Sequence, residues 1–254
     1  YNYVLTSLSC GDNQLEKLYV SENPALISLE CFNNKLTALY VGENNTLTAL
    51  YCGKNQLSRL YVKKNTALTI LDCGDNQLTK LDLSENEALV ELYCYNNQLT
   101  DLYISENASL ETLDCRSNQL TELDLTSNVK LSTLDCRNNQ LMELDFSRNI
   151  ALKNLKCDNN SLITLDLSNN KKLTELSCGS QNIDSYIESL TFDFSKLLPA
   201  YKIPNIKASS VQGRTTVDGA ITTTYTAATG IAKFTQVPAS IRYDYPTGYR
   251  SNLL

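Results

Sequence analysis

Apolar residues recur along this chain with a short, unbroken period. From Leu5 the pattern reads Leu5-x-x-Leu8-x-Cys10-x-x-Asn13-x, then Leu15-x-x-Leu18-x-Val20-x-x-Asn23-x-x, and after 21 residues it begins again. Further starts fall at Leu26, Leu47, Leu68, Leu89, Leu110, Leu131 and Leu152, and a ninth at Leu173 breaks down partway. Cys10, Cys31, Cys52, Cys73, Cys94, Cys115, Cys136, Cys157 and Cys178 share one register. Asn13, Asn34, Asn55, Asn76, Asn97, Asn118, Asn139 and Asn160 share another, three residues later. A strict short period without gaps predicts a solenoid, in which each repeat stacks only on its neighbours.

Each half of the repeat alternates Leu-x-Cys or Leu-x-Leu with polar residues, the period of a half-buried strand. One residue separates Asn13 from the next repeated Leu, and two follow Asn23, far too few for a helical crossover. The pattern therefore predicts two parallel sheets, one per half-repeat, with short strands, tight corners, little helix and coils ~4.8 Å apart. The Asn column is expected to satisfy the polar backbone groups of the bend that faces the dry interior.

Both halves match L-x-x-L-x-L-x-x-N, as in Leu120-Thr-Glu-Leu123-Asp-Leu125-Thr-Ser-Asn128. Over about residues 5–183 the chain resembles the leucine-rich-repeat family, and more narrowly the bacterial, internalin-like class that nests two such segments in 21 residues. The resemblance implies the horseshoe superfold, here mostly β with a small C-terminal β segment. It also implies a binding scaffold without catalytic residues.

The register fails near residue 180, where Gln181 and Ile183 replace the expected Asn and Leu. Leu190–Ser195 reads as a last strand on the second sheet, and Pro199 and Pro204 end the stacking. Beyond them Thr215–Val217 and Ala220–Tyr225 flank Asp218-Gly219, a hairpin signal, and Ile231–Thr235 and Ile241–Tyr245 read as strands. The expected division is a solenoid over 1–187 and a β-rich cap or small β domain over 188–254. The chain opens at Tyr1 without Met or a signal peptide, as an excised piece or a mature form would.

Charge narrows the partners. The chain carries −6; residues 184–254 hold seven Lys/Arg and five Asp/Glu, or +2, which leaves −8 for the repeats. That argues against nucleic acid or anionic lipid. No apolar run approaches the ~20 residues of a membrane span. Nine cysteines first suggest disulfides. Parallel, in-register side chains ~4.8 Å apart do not turn towards each other, and a disulfide wants Cβ atoms about 3.5–4.5 Å apart. The reading is a reduced, buried sulfur ladder, and a linear row of thiols cannot surround zinc.

The chemistry is sparse. With no His, neither a Ser-His-Asp nor a Cys-His pair can form, and the nine Gly are too scattered for a phosphate loop. No enzyme, cofactor or metal is expected. Asp82, Asp124, Asp145 and Asp166 form one acidic column and Asp72, Asp114 and Asp135 another. The plainest reading is a solvated face where Asp supports the turn, with Arg116 and Arg137 pairing locally; a calcium site or acid–base work are lesser alternatives.

The aromatics point further. Tyr19, Tyr40, Tyr61 and Tyr103 share a column of the second half, and Phe32, Tyr51, Tyr93 and Tyr95 project from the first. Tyr is a good strand residue, so stacking alone could explain them; it is also enriched in binding sites. The sequence reading is a non-enzymatic, monomeric bacterial module, extracellular or on the cell surface, that binds a protein ligand in adhesion or host contact through these eight residues. A glycan-binding module and a structural spacer presenting another domain are the alternatives.

Overall fold

The structure, a computed structural model, describes residues 2–162 and 165–179 together with six strands between 190 and 253. The period becomes a solenoid without helix among the described residues. Its first half-repeats form one nine-stranded parallel sheet in chain order, β1 (Ser7–Ser9) through β5 (Glu91–Tyr93) to β9 (Glu175–Ser177). Each strand pairs with the next at an offset of 21 residues, as Leu50 with Leu71. The Leu, Cys and apolar positions of both halves point inward and form one continuous core, with Cys31 to Cys178 buried and Cys10 partly so.

Among the described residues the second predicted sheet is reduced to a single bridge. In the second halves the only bridge among the described residues joins Tyr40 to Tyr61. One backbone bond per coil, such as Gln56 N–H to Leu36 O at 2.9 Å, ties neighbouring segments. The reason lies in the corner that follows. Asn44 N–H bonds Val41 O and Leu47 N–H bonds Asn44 O, and every coil repeats these two tight turns. Amides used within a coil are lost to a ladder between coils.

The expected Asn ladder is present. Asn97 Nδ2 donates to the carbonyls of Cys73, Cys94 and Tyr95, and its Oδ1 accepts Leu78 N–H of the preceding coil at 2.9 Å. A second ladder, Asn44 through Asn170, is more deeply buried. Asn86 Nδ2 donates to Val62 O and Asn65 O, while the Oδ1 of each member lies buried with no donor among the described residues.

A third column obeys a backbone demand. Asp12, Asn33, Lys54, Asp75, Asn96, Ser117, Asn138 and Asn159 all have φ between 48° and 56°. Asn and Asp tolerate this left-handed conformation, whereas Lys has no local bond to favour it. Lys54→Gly is expected to raise stability by about 0.5–1 kcal/mol, read as a higher urea midpoint.

The far strands depart from expectation. β10 (Leu190–Asp193) pairs antiparallel with β13 (Ile231–Phe234), which also pairs β12 (Thr223–Thr226). It therefore does not extend the solenoid as a last second-half segment: second halves start ten residues after the first, as Leu15 after Leu5, whereas β10 begins fifteen residues after the start of β9. β11 (Gln212–Arg214) and β15 (Arg250–Leu253) flank β14 (Ser240–Asp244). The strands predicted near 231 and 241 are thus in place. The predicted hairpin across Asp218-Gly219 lies largely outside the described residues, and β11 and β12 stand in different sheets.

Candidate binding faces

Because both segments send Leu inward, each leaves an outward column on its own side of the core. On the second-half side, Tyr19, Tyr40, Tyr61 and Tyr103 are 78%, 66%, 63% and 72% exposed. The same column holds Asp82, Asp124, Asp145 and Asp166, and there the side chain has a structural task. Asp124 Oδ1 accepts Thr126 N–H at 2.9 Å, and Asp82, Asp145 and Asp166 accept the matching amides of Ser84, Ser147 and Ser168. Bonds from the Ser84 and Thr126 hydroxyls and amides hold Asp82 and Asp124 below the usual carboxylate range. Tyrosine cannot do this, so the four Tyr coils give up a turn bond for an exposed ring. Next to Tyr103 a groove of about 290 Å³ runs along Lys80, Asp82, Asp101 and Glu106.

On the sheet face the aromatic residues are half-buried and locally ordered. Tyr51, Asp72, Tyr93, Asp114 and Asp135 follow one another in register across β3 (Ala49–Tyr51) to β7 (Thr133–Asp135). Tyr93 O–H donates to Glu91 Oε2 at 2.8 Å. Burial, then that bond, pushes the Tyr93 phenol up to about 12. The Tyr95 ring leans over Gly74, where a Cβ would stand 2.5 Å from it, and the Arg116 guanidinium lies over the same ring at 4.4 Å. Phe32 leans over Gly11 in the same way, three coils away.

The expected local ion pairs are here. Arg116 bonds Asp114 and reaches Asp135 at 3.6 Å, and Arg137 grips Asp135 with two bonds of 2.9 and 2.6 Å. Burial lifts the Asp114 carboxyl to about 6, against the opposing pull of Arg116.

The structure thus separates the eight aromatic candidates. It brings Tyr40 and Tyr61 together on one side, and Tyr51, Tyr93 and Tyr95 around Asp72 on the other. Tyr19 adjoins Tyr40, Tyr103 stands beyond Asp82, and Phe32 stands apart. Sequence reading missed the setting of Asp72; the signal was Gly74 in the slot that holds Arg116 and Arg137 in later coils. Among the described residues no three His, Cys, Asp or Glu side chains are grouped to hold a metal, and no helix is long and apolar enough to cross a membrane.

Neither a family model nor a curated protein matches the sequence. Solved structures do. The functional domain of InlJ from Listeria monocytogenes, which includes a cysteine ladder, is similar over 99% of this chain and 81% of its own, at 24% identity and a TM-score of 0.55. A leucine-rich-repeat protein of Leptospira interrogans gives 25% identity and a TM-score of 0.66 over 70% of this chain, which spans 50% of that protein. Internalin C2 of L. monocytogenes gives 22% and 0.61, over 67% of this chain and 80% of its own. With its parallel coils and its asparagine ladders, this chain has the fold of a leucine-rich-repeat solenoid of the internalin-like kind.

Proposed function

We propose that this chain is a non-enzymatic module, secreted or displayed on a bacterial surface, that binds a protein ligand. The observation that carries the reading is the second-half column. Where Asp would bond the turn, Tyr19, Tyr40, Tyr61 and Tyr103 instead expose between 63% and 78% of their surface. Exposed aromatic area grouped in one place marks interaction surfaces, and Tyr combines apolar area with a polar tip at low entropic cost. Residues 1–187 carry the binding face, and 188–254 form the β-rich cap or small β domain beyond it.

Parallel arrays of extracellular proteins and of glycans test the reading. The parent should bind a protein and no glycan. Tyr40→Ser with Tyr61→Ser should keep the fold, because both side chains are outside the core, and weaken binding by more than about tenfold, ~1.4 kcal/mol. Unchanged affinity in that variant, with loss in variants of Asp124, Asp145 and Asp166, would move the site to the acidic end.

A further inference from the structure

Of the three aspartates in the sheet-face column, two bring their own cation two residues on: Asp114 with Arg116 and Asp135 with Arg137. Asp72 is the third, and residue 74 is glycine. Asp72 Oδ1 accepts Gly74 N–H at 3.0 Å, while Oδ2 has no hydrogen bond or ion pair with any described residue. Lys54 acts on this carboxylate only from a distance, and Asp75 opposes it. Partial burial leaves Asp72 above the usual carboxylate range.

The surroundings are aromatic. Tyr51 precedes Asp72 in the column and Tyr93 follows it, each one coil away. Beneath the side chains lies the backbone of Gly53 and Gly74. A Cβ on Gly53 would stand 3.0 Å from Asp72 Oδ1, and one on Gly74 would strike the Tyr95 ring, so the absence of side chains there lets Asp72 and Tyr95 lie directly on the backbone. The neighbouring coils show what fits such a setting. Arg116 bonds an aspartate of the same column while its guanidinium lies 4.4 Å from the Tyr95 ring.

We infer that Asp72, set in register between Tyr51 and Tyr93, is a receptor for a guanidinium group, carried by an arginine side chain of a protein ligand. The guanidinium pairs with Asp72 Oδ2 and lies along the rings of Tyr51 and Tyr93. Arginine fits better than lysine, because a flat, weakly hydrated fork can stack on a ring and bond a carboxylate at once. The −8 carried by the repeats favours the approach of a basic ligand. This site is on the other side of the core from the exposed tyrosine column, and shares with the preceding reading only that the ligand is a protein.

The test needs no natural ligand. The full chain, with carbon-13 in its tyrosine rings, is titrated with N-acetyl-arginine amide and with the neutral isostere N-acetyl-citrulline amide. The arginine compound should give saturable shifts at Tyr51, Tyr93 and Tyr95, and the citrulline compound none. Asp72→Asn keeps an acceptor for Gly74 N–H and removes the charge, so it should fold, checked by circular dichroism, and bind at least about tenfold more weakly. Asp82→Asn, on the other side of the core, should bind like the parent. Absent or unsaturable shifts, equal affinity in Asp72→Asn, or equal affinity for N-acetyl-lysine amide would overturn the assignment. Any of these would leave the Tyr40/Tyr61 result untouched.

Discussion

Above about pH 9 the solenoid is expected to lose stability steeply. Burial raises the thiols of Cys31, Cys52, Cys73, Cys94, Cys115 and Cys136 above their ordinary range, Cys31 to about 12; for Cys157 a bond with Cys178 comes first. An unfolded thiol ionises near 8.5, while the folded one stays protonated. A raised folded value means a contribution that is complete below the unfolded pKa and is lost as pH climbs towards the folded value. Each thiol then costs about 1.4 kcal/mol per pH unit, and seven together cost on the order of 10 kcal/mol per unit. Urea midpoints at rising pH, in reductant, would show this, and a variant with Cys52, Cys73, Cys94 and Cys115 all changed to Ala should keep less than half of the slope. A midpoint that ignores pH would mean that the sulfurs are not sealed. In the same row Cys94→Ser should cost about 1–3 kcal/mol, because it places a hydroxyl in a dry slot.

Asn97→Ala is expected to destabilise by about 2–3 kcal/mol, chiefly by leaving the buried Leu78 N–H without an acceptor. Cys73 O and Cys94 O each keep a second amide donor, from Asn76 and Asn118, so they are not orphaned. Asn33→Ala also has a cost, because Asn33 has φ 51° and alanine resists the left-handed region. That cost is about 1 kcal/mol, and Asn33 otherwise donates only to Asp12 on the surface. Thermal melts of the two variants check the order, and equal midpoints would show that the inner amide is not sealed.

The solenoid was legible because its cause is periodic: Leu, Cys and Asn recur at fixed places since each coil offers the same slots. What stayed hidden depended on backbone geometry or on neighbours. The left-handed column accepts Asp12, Lys54 and Ser117 alike, so no residue type betrayed it. The second sheet was a fair reading of Leu-x-Leu, but two turns at Val41–Leu47 use the amides locally. The inner Asn44–Asn170 ladder looked like a copy of the first and is the more deeply buried. Asp72 was seen as one acid in a column, because its missing cation appears only against Asp114 with Arg116 in a later coil. In the tail, the pairs β10–β13 and β11–β14 join strands far apart in sequence, which no local pattern reveals.

Every pairing in the nine-stranded sheet is offset by 21 residues, with no slip from β1 to β9. Length in this protein is therefore quantised. Removing whole coils leaves each Leu, Cys and Asn opposite its own kind, whereas a deletion that is not a multiple of 21 residues severs both amide rows and the sulfur row at a single point. The exposed tyrosines ride on this ruler. Excising the coil that carries Asp82 would set Tyr103 directly beside Tyr61, one ~4.8 Å step away instead of two, so the span of the aromatic column can be altered without redesigning the core beneath it.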